Sequence, residues 1–340
     1  MRQAMVCPEG VQMAVHVFLV DENNFQICVQ RGLVALPEPS EEKQRKENTV
    51  DGLLSRLFSV REDDYILMYV VGTKELRGLW QADGRPFYDR TPVWQNQCYP
   101  FRCKIKCSQY NFENPLKLND VIDLQNTGKI WSWALRRATG QGTNVMFSVS
   151  DEEFRVLLNE FFKINPFSMR KSRILEPYPF HEQNLMEYIH LENGEPHYEY
   201  SVMALLNRAF ANGEYTDIFG NYTDCLSYVP TSLGREMDIL LMFQNPVMQD
   251  VTASYDIIEV KKSKFDAKAL KQLIDYEAWF LQHKVSRDLN MVRTTAVASS
   301  FSDEVKQYVK QREYFENKPI KLLRYEYLAE RKQLVLKNAL

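Results

Sequence analysis

The stretch "YDIIEVKKSKFDAKALKQLIDY", residues 255–276, decides how the second half of this chain is read. An apolar, β-branched run leads into Glu259-Val260-Lys261, and a basic helical pattern follows. Side chains alternate along a strand, so Glu259 and Lys261 share one face and Val260 takes the other. Upstream, "EMDILLMF" (236–243) is a second apolar strand that carries Glu236 and Asp238 on one face. An aspartate among such residues costs free energy unless it is paired or ligated. If the two strands are neighbours, Asp238 and Glu259 converge. Two carboxylates, the Val260 main-chain carbonyl and waters form the hard-oxygen set that Mg²⁺ or Mn²⁺ takes. A lysine beside such a centre can orient water and attract phosphate. Gln272 and Tyr276, spaced i, i+4, lie on one face of the following helix.

Composition sets the frame. The chain has 340 residues, 45% apolar and 26% charged, with a net charge of −3. That length suggests two domains, and the charge balance excludes a uniformly basic coat while leaving room for a local basic groove. The six cysteines form no C-x-x-C pair, and the five histidines show no metal spacing. Cys98, Cys103 and Cys107 cluster without a nearby histidine and read as reduced thiols. No stretch approaches the roughly 18 apolar residues of a membrane span. The apolar run near residue 16 reads as a first strand rather than a signal peptide, so a cytoplasmic protein without membrane association is expected. Phosphate-loop, nucleophile-elbow and H-E-x-x-H motifs are all absent from the sequence.

Residues 1–165 read as mixed α/β. "YILMYVVG" (65–72) and "LRGLWQA" (76–82) form an expected hairpin, and "YPFRCKIKC" (99–107) a half-buried strand. Ser150 and Glu153 make a capping box at a helix start. Residues 166–181, rich in proline and basic side chains, are the expected linker. In residues 182–340 the pattern gives helices near 182–191 and 199–212. It continues with strands at 236–243, 255–262, 291–300 and 320–328 and helices near 266–284 and 302–316. The expected architecture is a two-domain α/β protein whose second domain is a mixed sheet flanked by helices.

"EMDILL", "IIEVKK" and "QLIDY" together resemble the PD-(D/E)xK nuclease superfamily, with the Q-x-x-x-Y element of its RecB-like branch, over about residues 182–330. The resemblance implies a restriction-endonuclease-like fold with Asp238 and Glu259 as metal-binding acids and Lys261 as the catalytic lysine. Gln272 and Tyr276 would support the site and contact the DNA backbone. Glu199, with Glu187 behind it, is the candidate for an additional acid from an early helix. No proline precedes Asp238, and Glu259 follows it by 21 positions (259 − 238). Lys262, Lys264, Lys268 and Lys271 flank the motif with Asp266 as the only acid among them, and are expected to hold phosphates.

Over about residues 10–163 the layout "DDYILMYVVG…LRGLWQADGRPFYDRTPVWQNQCYPFRCKI" resembles the EVE/YTH branch of the PUA-like fold, small β-barrels with helices that bind a modified base. That resemblance makes Trp94 and Tyr99 pocket walls, with Asn24, just before the first helix, as a further pocket residue. Leu33 and Val34 stand where that family often has tryptophan. Arg136 and Arg137 are candidates for backbone phosphates. The combined expectation is a modification-dependent DNA endonuclease using Mg²⁺ or Mn²⁺, a homodimer acting on double-stranded DNA. The alternatives are a repair or structure-specific endonuclease and a non-catalytic reader of modified RNA.

Overall fold

A computed structural model describes residues 13–40, 46–95, 97–110, 112–135, 145–166, 176, 181–248 and 251–340. Arg136, Arg137 and nearly all of the expected linker lie outside these residues.

The first half contains β1 (Val15–Val20), α1 (Glu22–Arg31), β2 (Leu33–Leu36), α2 (Lys46–Leu57), β3 (Tyr65–Val70), β4 (Glu75–Ala82), β5 (Phe87–Tyr88), β6 (Phe101–Cys107), β7 (Leu116–Lys117), α3 (Leu118–Asn126), β8 (Met146–Val149) and α4 (Asp151–Ile164). Its sheet runs β2-β6-β4-β3-β1-β8, with β5 beside β6 and β7 beside β4. It curls as a half-barrel, and β2 and β8 stand at its two ends. The β3–β4 hairpin and the Ser150–Glu153 capping box form as the sequence predicts. Buried Glu153 also accepts the main-chain N–H groups of Trp131 and Ser132, which fastens the approach to β8 onto α4.

The second half continues with β9 (Leu191–Glu192), β10 (Glu195–Pro196), α5 (Glu199–Ala211), α6 (Thr216–Phe219), β11 (Asp224–Pro230), β12 (Glu236–Gln244), β13 (Thr252–Phe265), α7 (Ala267–His283), β14 (Val292–Phe301), α8 (Asp303–Glu316), β15 (Ile320–Leu328) and β16 (Gln333–Asn338). They form a six-stranded mixed sheet in sequential order, β11 to β16, with β13, β14 and β15 parallel. The protein is therefore α/β in both halves. No helix among the described residues is long and apolar enough to cross a membrane.

The helix expected near 182–191 is instead a single 3-10 turn, Leu185–Tyr188, followed by the small β9–β10 hairpin. "NG" at 193–194, with both residues at positive φ, favours that hairpin over helix.

The two halves share one apolar core. Leu54 of α2, Val202 and Leu206 of α5, and Ile239, Ile258 and Val260 of the second sheet belong to the same buried cluster. Polar side chains are buried in this seam only where they are mutually bonded, as the low-dielectric interior requires. Asp51 accepts the Ser201 hydroxyl, the His190 main-chain N–H at 3.2 Å and its Nδ1 at 2.9 Å. Asn207 Nδ2 donates to the Ser55 carbonyl at 2.7 Å, and its Oδ1 accepts from Ser227 Oγ at 2.8 Å.

Candidate active site

β12 and β13 are neighbours, paired antiparallel, and their ladder ends at Ile239–Ile258. Beyond that pair the strands part. The Val260 N–H donates instead to Asp238 Oδ2 at 2.8 Å. Asp238 thereby takes the place of a ladder carbonyl and is held at the fork, beside Glu259. Alternation puts Ile258 and Val260 in the core shared with α5, whereas Tyr255 and Ile257 pack beneath α7. Glu259 follows the parity of Ile257 and is fully buried.

Lys261 Nζ donates to Glu259 Oε1 at 2.8 Å and to the Val260 carbonyl at 2.9 Å, and lies 3.4 Å from Glu199 Oε1. The second Glu259 oxygen, Oε2, is buried without a hydrogen-bond partner. Burial, with the charge of Asp238 next, pushes Glu259 up to about 8. Burial likewise pushes Asp238 up to about 6 against the pull of Lys261. Burial alone would lower Lys261, and the carboxylates of Glu259, Asp238 and Glu199 reverse that and raise it. Concentrated negative charge with an unsatisfied buried oxygen is the chemistry of a cation site.

From α7, Gln272 Nε2 donates to the Tyr276 hydroxyl at 3.0 Å, and that hydroxyl donates to the Glu236 carbonyl at 2.7 Å. Tyr276 is buried and braces the start of β12 rather than facing solvent. Glu199, the first residue of α5, reaches the site through Lys261. Glu187 is an exposed side chain on the 3-10 turn Leu185–Tyr188. Among the described residues no three His, Cys, Asp or Glu side chains are grouped to hold a metal. The available oxygens are therefore Asp238, Glu259 and the Val260 carbonyl. They fit Mg²⁺ or Mn²⁺, hard cations that accept few protein ligands and keep several waters.

Lys264, Lys268 and Lys271 are exposed along the end of β13 and the first turns of α7, and Lys262 is half-buried. Asp266 caps the helix by accepting from Ala269 N at 3.0 Å, and the first turn itself carries no acid.

In the first half, Trp94 and Tyr99 line a cleft of about 320 Å³ together with Arg90, Gln97 and Arg102. Their ring centroids lie 4.8 Å apart at 44°, so the rings touch one another instead of standing apart by the thickness of a base. Asn24, within the first turn of α1 rather than before it, donates through Nδ2 to the Tyr99 hydroxyl at 3.0 Å. Arg102, buried behind the cleft, donates to the Tyr99 and Thr91 carbonyls and fixes the loop. Trp94 Nε1 is buried without a partner. The three base-pocket candidates are thus one cluster. Leu33 and Val34 are in the core, and the described cysteines are all free.

No protein-family model matches the chain, and no curated protein does. Among solved structures, a repair endonuclease from Pyrococcus abyssi aligns over 35% of this chain and 45% of its own, at 18% identity and a TM-score of 0.26. The EndoMS–dsDNA2 complex aligns over 44% and 50%, at 17% identity and a TM-score of 0.28. Rpa0253 from Rhodopseudomonas palustris aligns over 46% and 97%, at 13% identity and a TM-score of 0.29. The chain spans half or less of the length of the two nuclease structures. All three scores are too low to carry a functional argument, which rests on the site itself.

Proposed function

We propose that the chain is a metal-dependent DNA endonuclease of the PD-(D/E)xK kind, whose first half reads a modified base. The observation that carries this reading is the β12–β13 fork. There a buried, unpartnered Glu259 oxygen, Asp238 and Lys261 meet beside an exposed basic edge. A buried carboxylate oxygen without a donor is rare enough to call for a ligand.

Asp238, Glu259 and the Val260 carbonyl would hold the cation. When bound, it supplies an activated water and offsets the charge on the phosphate. Lys261 keeps its proton at Nζ and places a positive charge next to the scissile phosphate, where it orients the attacking water and favours the pentacovalent charge distribution. Lys264, Lys268 and Lys271 hold the flanking phosphates. Tyr276 and Gln272 keep the start of β12 in place. Cutting both strands requires two such sites, and a homodimer would supply them.

In the first half, Trp94, Tyr99 and Asn24 would form the wall against which an extruded base packs. Trp94→Ala is expected to leave cleavage intact and to erase the difference in rate between modified and plain duplex. Digesting DNAs that carry different base modifications, with Mg²⁺ or Mn²⁺, tests both halves. Absence of cutting on every duplex overturns the nuclease reading, and unchanged discrimination in Trp94→Ala overturns the pocket. The contact between the Trp94 and Tyr99 rings favours a second reading, a repair or structure-specific endonuclease. Equal cutting of methylated and unmethylated duplex, with preference for a mismatch or branch, selects it.

A further inference from the structure

Asp238 sits in a segment with irregular pairing on both sides. On the β13 side the ladder has ended at Ile239–Ile258. On the β11 side the registered pairs are Ser227–Ile239 and Val229–Met237, which leaves Tyr228 opposite Asp238. Tyr228 has φ 57°, a left-handed conformation that a bulky residue keeps only when its surroundings impose it. Those surroundings are the last turn of α2, from the other half of the chain. Ser55 Oγ and the Tyr228 hydroxyl hydrogen-bond to one another at 2.5 Å. The Arg56 guanidinium lies over the Tyr228 ring, 4.1 Å from its centroid. Its Nη1 donates to the Met146 carbonyl at 3.4 Å, and its Nη2 is 3.9 Å from Glu236 Oε2. Glu236 is the residue whose carbonyl Tyr276 holds from the opposite side.

We propose that Arg56 is a positioning residue of the nuclease site. Through Tyr228 and Glu236, the first half of the chain sets where Asp238 stands at the fork. This rests on the nuclease reading above and deepens it. A flat guanidinium on an aromatic face, tied to a main-chain carbonyl, is a rigid hold, and a lysine at the same place would keep the charge without the fork. The active site is then composite. The first half does more than deliver DNA, because it completes the frame in which the two acids face each other.

The test uses the full chain with Arg56→Ala and Arg56→Lys. Mn²⁺ affinity is measured without DNA, together with kcat, KM and the salt dependence of duplex binding in Ca²⁺. The expected result for Arg56→Ala is a loss of about tenfold in Mn²⁺ affinity and about 10–100-fold in kcat, the range for residues that orient metal ligands. KM and the salt slope stay at the wild-type values, and Arg56→Lys recovers part of the loss. Unchanged Mn²⁺ affinity and kcat overturn the proposal. So does a raised KM with a salt slope smaller by about one, which would make Arg56 a phosphate contact instead. A lowered melting temperature with wild-type kcat per folded molecule also overturns it, since the role would then be structural alone. A wild-type chain that cuts while Arg56→Ala cuts equally well sinks this proposal only. A wild-type chain that never cuts, and whose Mn²⁺ binding ignores Asp238→Ala, sinks the nuclease reading itself.

Discussion

Lys261→Met is expected to abolish cleavage and, at the same time, to bind Mn²⁺ more tightly than the wild type. The two effects separate because the lysine has two positions to account for. In the absence of a cation, its ammonium donates to Glu259 Oε1 and the Val260 carbonyl and sits near Glu199. Of these, Glu259 and the Val260 carbonyl are assigned to the metal, together with Asp238. A cation entering the fork must draw these oxygens away from the ammonium, and hydrogen bonds to charged groups are worth about 1.5–3 kcal/mol each. Removing the competitor should therefore tighten Mn²⁺ by roughly tenfold or more, since about 1.4 kcal/mol is one decade. The lysine charge also favours ionised Glu259, which opposes the gain. The affinities are therefore compared on the alkaline plateau of their pH profiles, above the value of about 8 for Glu259, which loss of the ammonium moves higher still. Cleavage should fall by about 10²–10³-fold, the typical cost of removing one preorganised donor that stabilises transition-state charge. Calorimetry or Mn²⁺ resonance, beside a digestion assay in Mg²⁺ with and without chelator, reads both. Weaker Mn²⁺ binding in Lys261→Met would mean the ammonium supports the acids and does not compete for their oxygens.

The centre of this site was legible because its signals are local. Asp238, Glu259 and Lys261 interrupt strongly apolar strands, and Gln272 and Tyr276 follow at helical spacing, so strand alternation and helix period set which side chains share a face. The structure makes β12 and β13 neighbours, but the reason Asp238 turns inward, a ladder that stops at Ile239–Ile258, has no sequence signature. β11 has no clear sequence signature because "TDCLSYVP" breaks its alternation at Tyr228, whose positive φ sends the side chain to the other core without shifting the register, and because it ends in Pro230. β16 is a six-residue edge strand at the end of the chain, too short to stand out. Trp94, Tyr99 and Asn24 are grouped only by the family resemblance, and the ring contact that narrows the space between the two aromatics has no sequence signature. Arg56 and Asp51 left no trace. Their partners are 90 or more residues away in sequence, and an arginine or aspartate in an amphipathic helix ordinarily faces solvent.

Asp51 carries the largest expected effect on stability. It is fully buried in the seam between α2 and α5 and accepts three donors, the Ser201 hydroxyl and two N–H groups of His190. Burial raises its pKa despite those bonds, so the carboxylate is held in a low-dielectric place, where the buried Ser201 hydroxyl has no water to turn to. Asp51→Ala leaves the Ser201 hydroxyl and the His190 main-chain N–H without an acceptor and opens a small cavity. Breaking a buried charged network in this way costs about 3–5 kcal/mol, against a typical total stability of about 5–15 kcal/mol. At about 2.1 cal/mol/K of unfolding entropy per residue, a cooperative unit of 340 residues shifts by roughly 1.4 °C per kcal/mol, so the melting temperature should fall by about 4–7 °C. Asp51→Asn retains one acceptor oxygen and should lose less. Because the seam is part of a core shared by both sheets, the two halves should unfold in one transition in the wild type and in the variant. A melting temperature unchanged in Asp51→Ala would show that water replaces the lost acceptor and that the seam is open. Two separated transitions in the wild type would show that the halves are held together by something weaker than a common core. The Asp51 seam also bears on catalysis, since Ser201 is two residues from Glu199 on the same helix, and loosening α5 shifts the carboxylate that flanks Lys261.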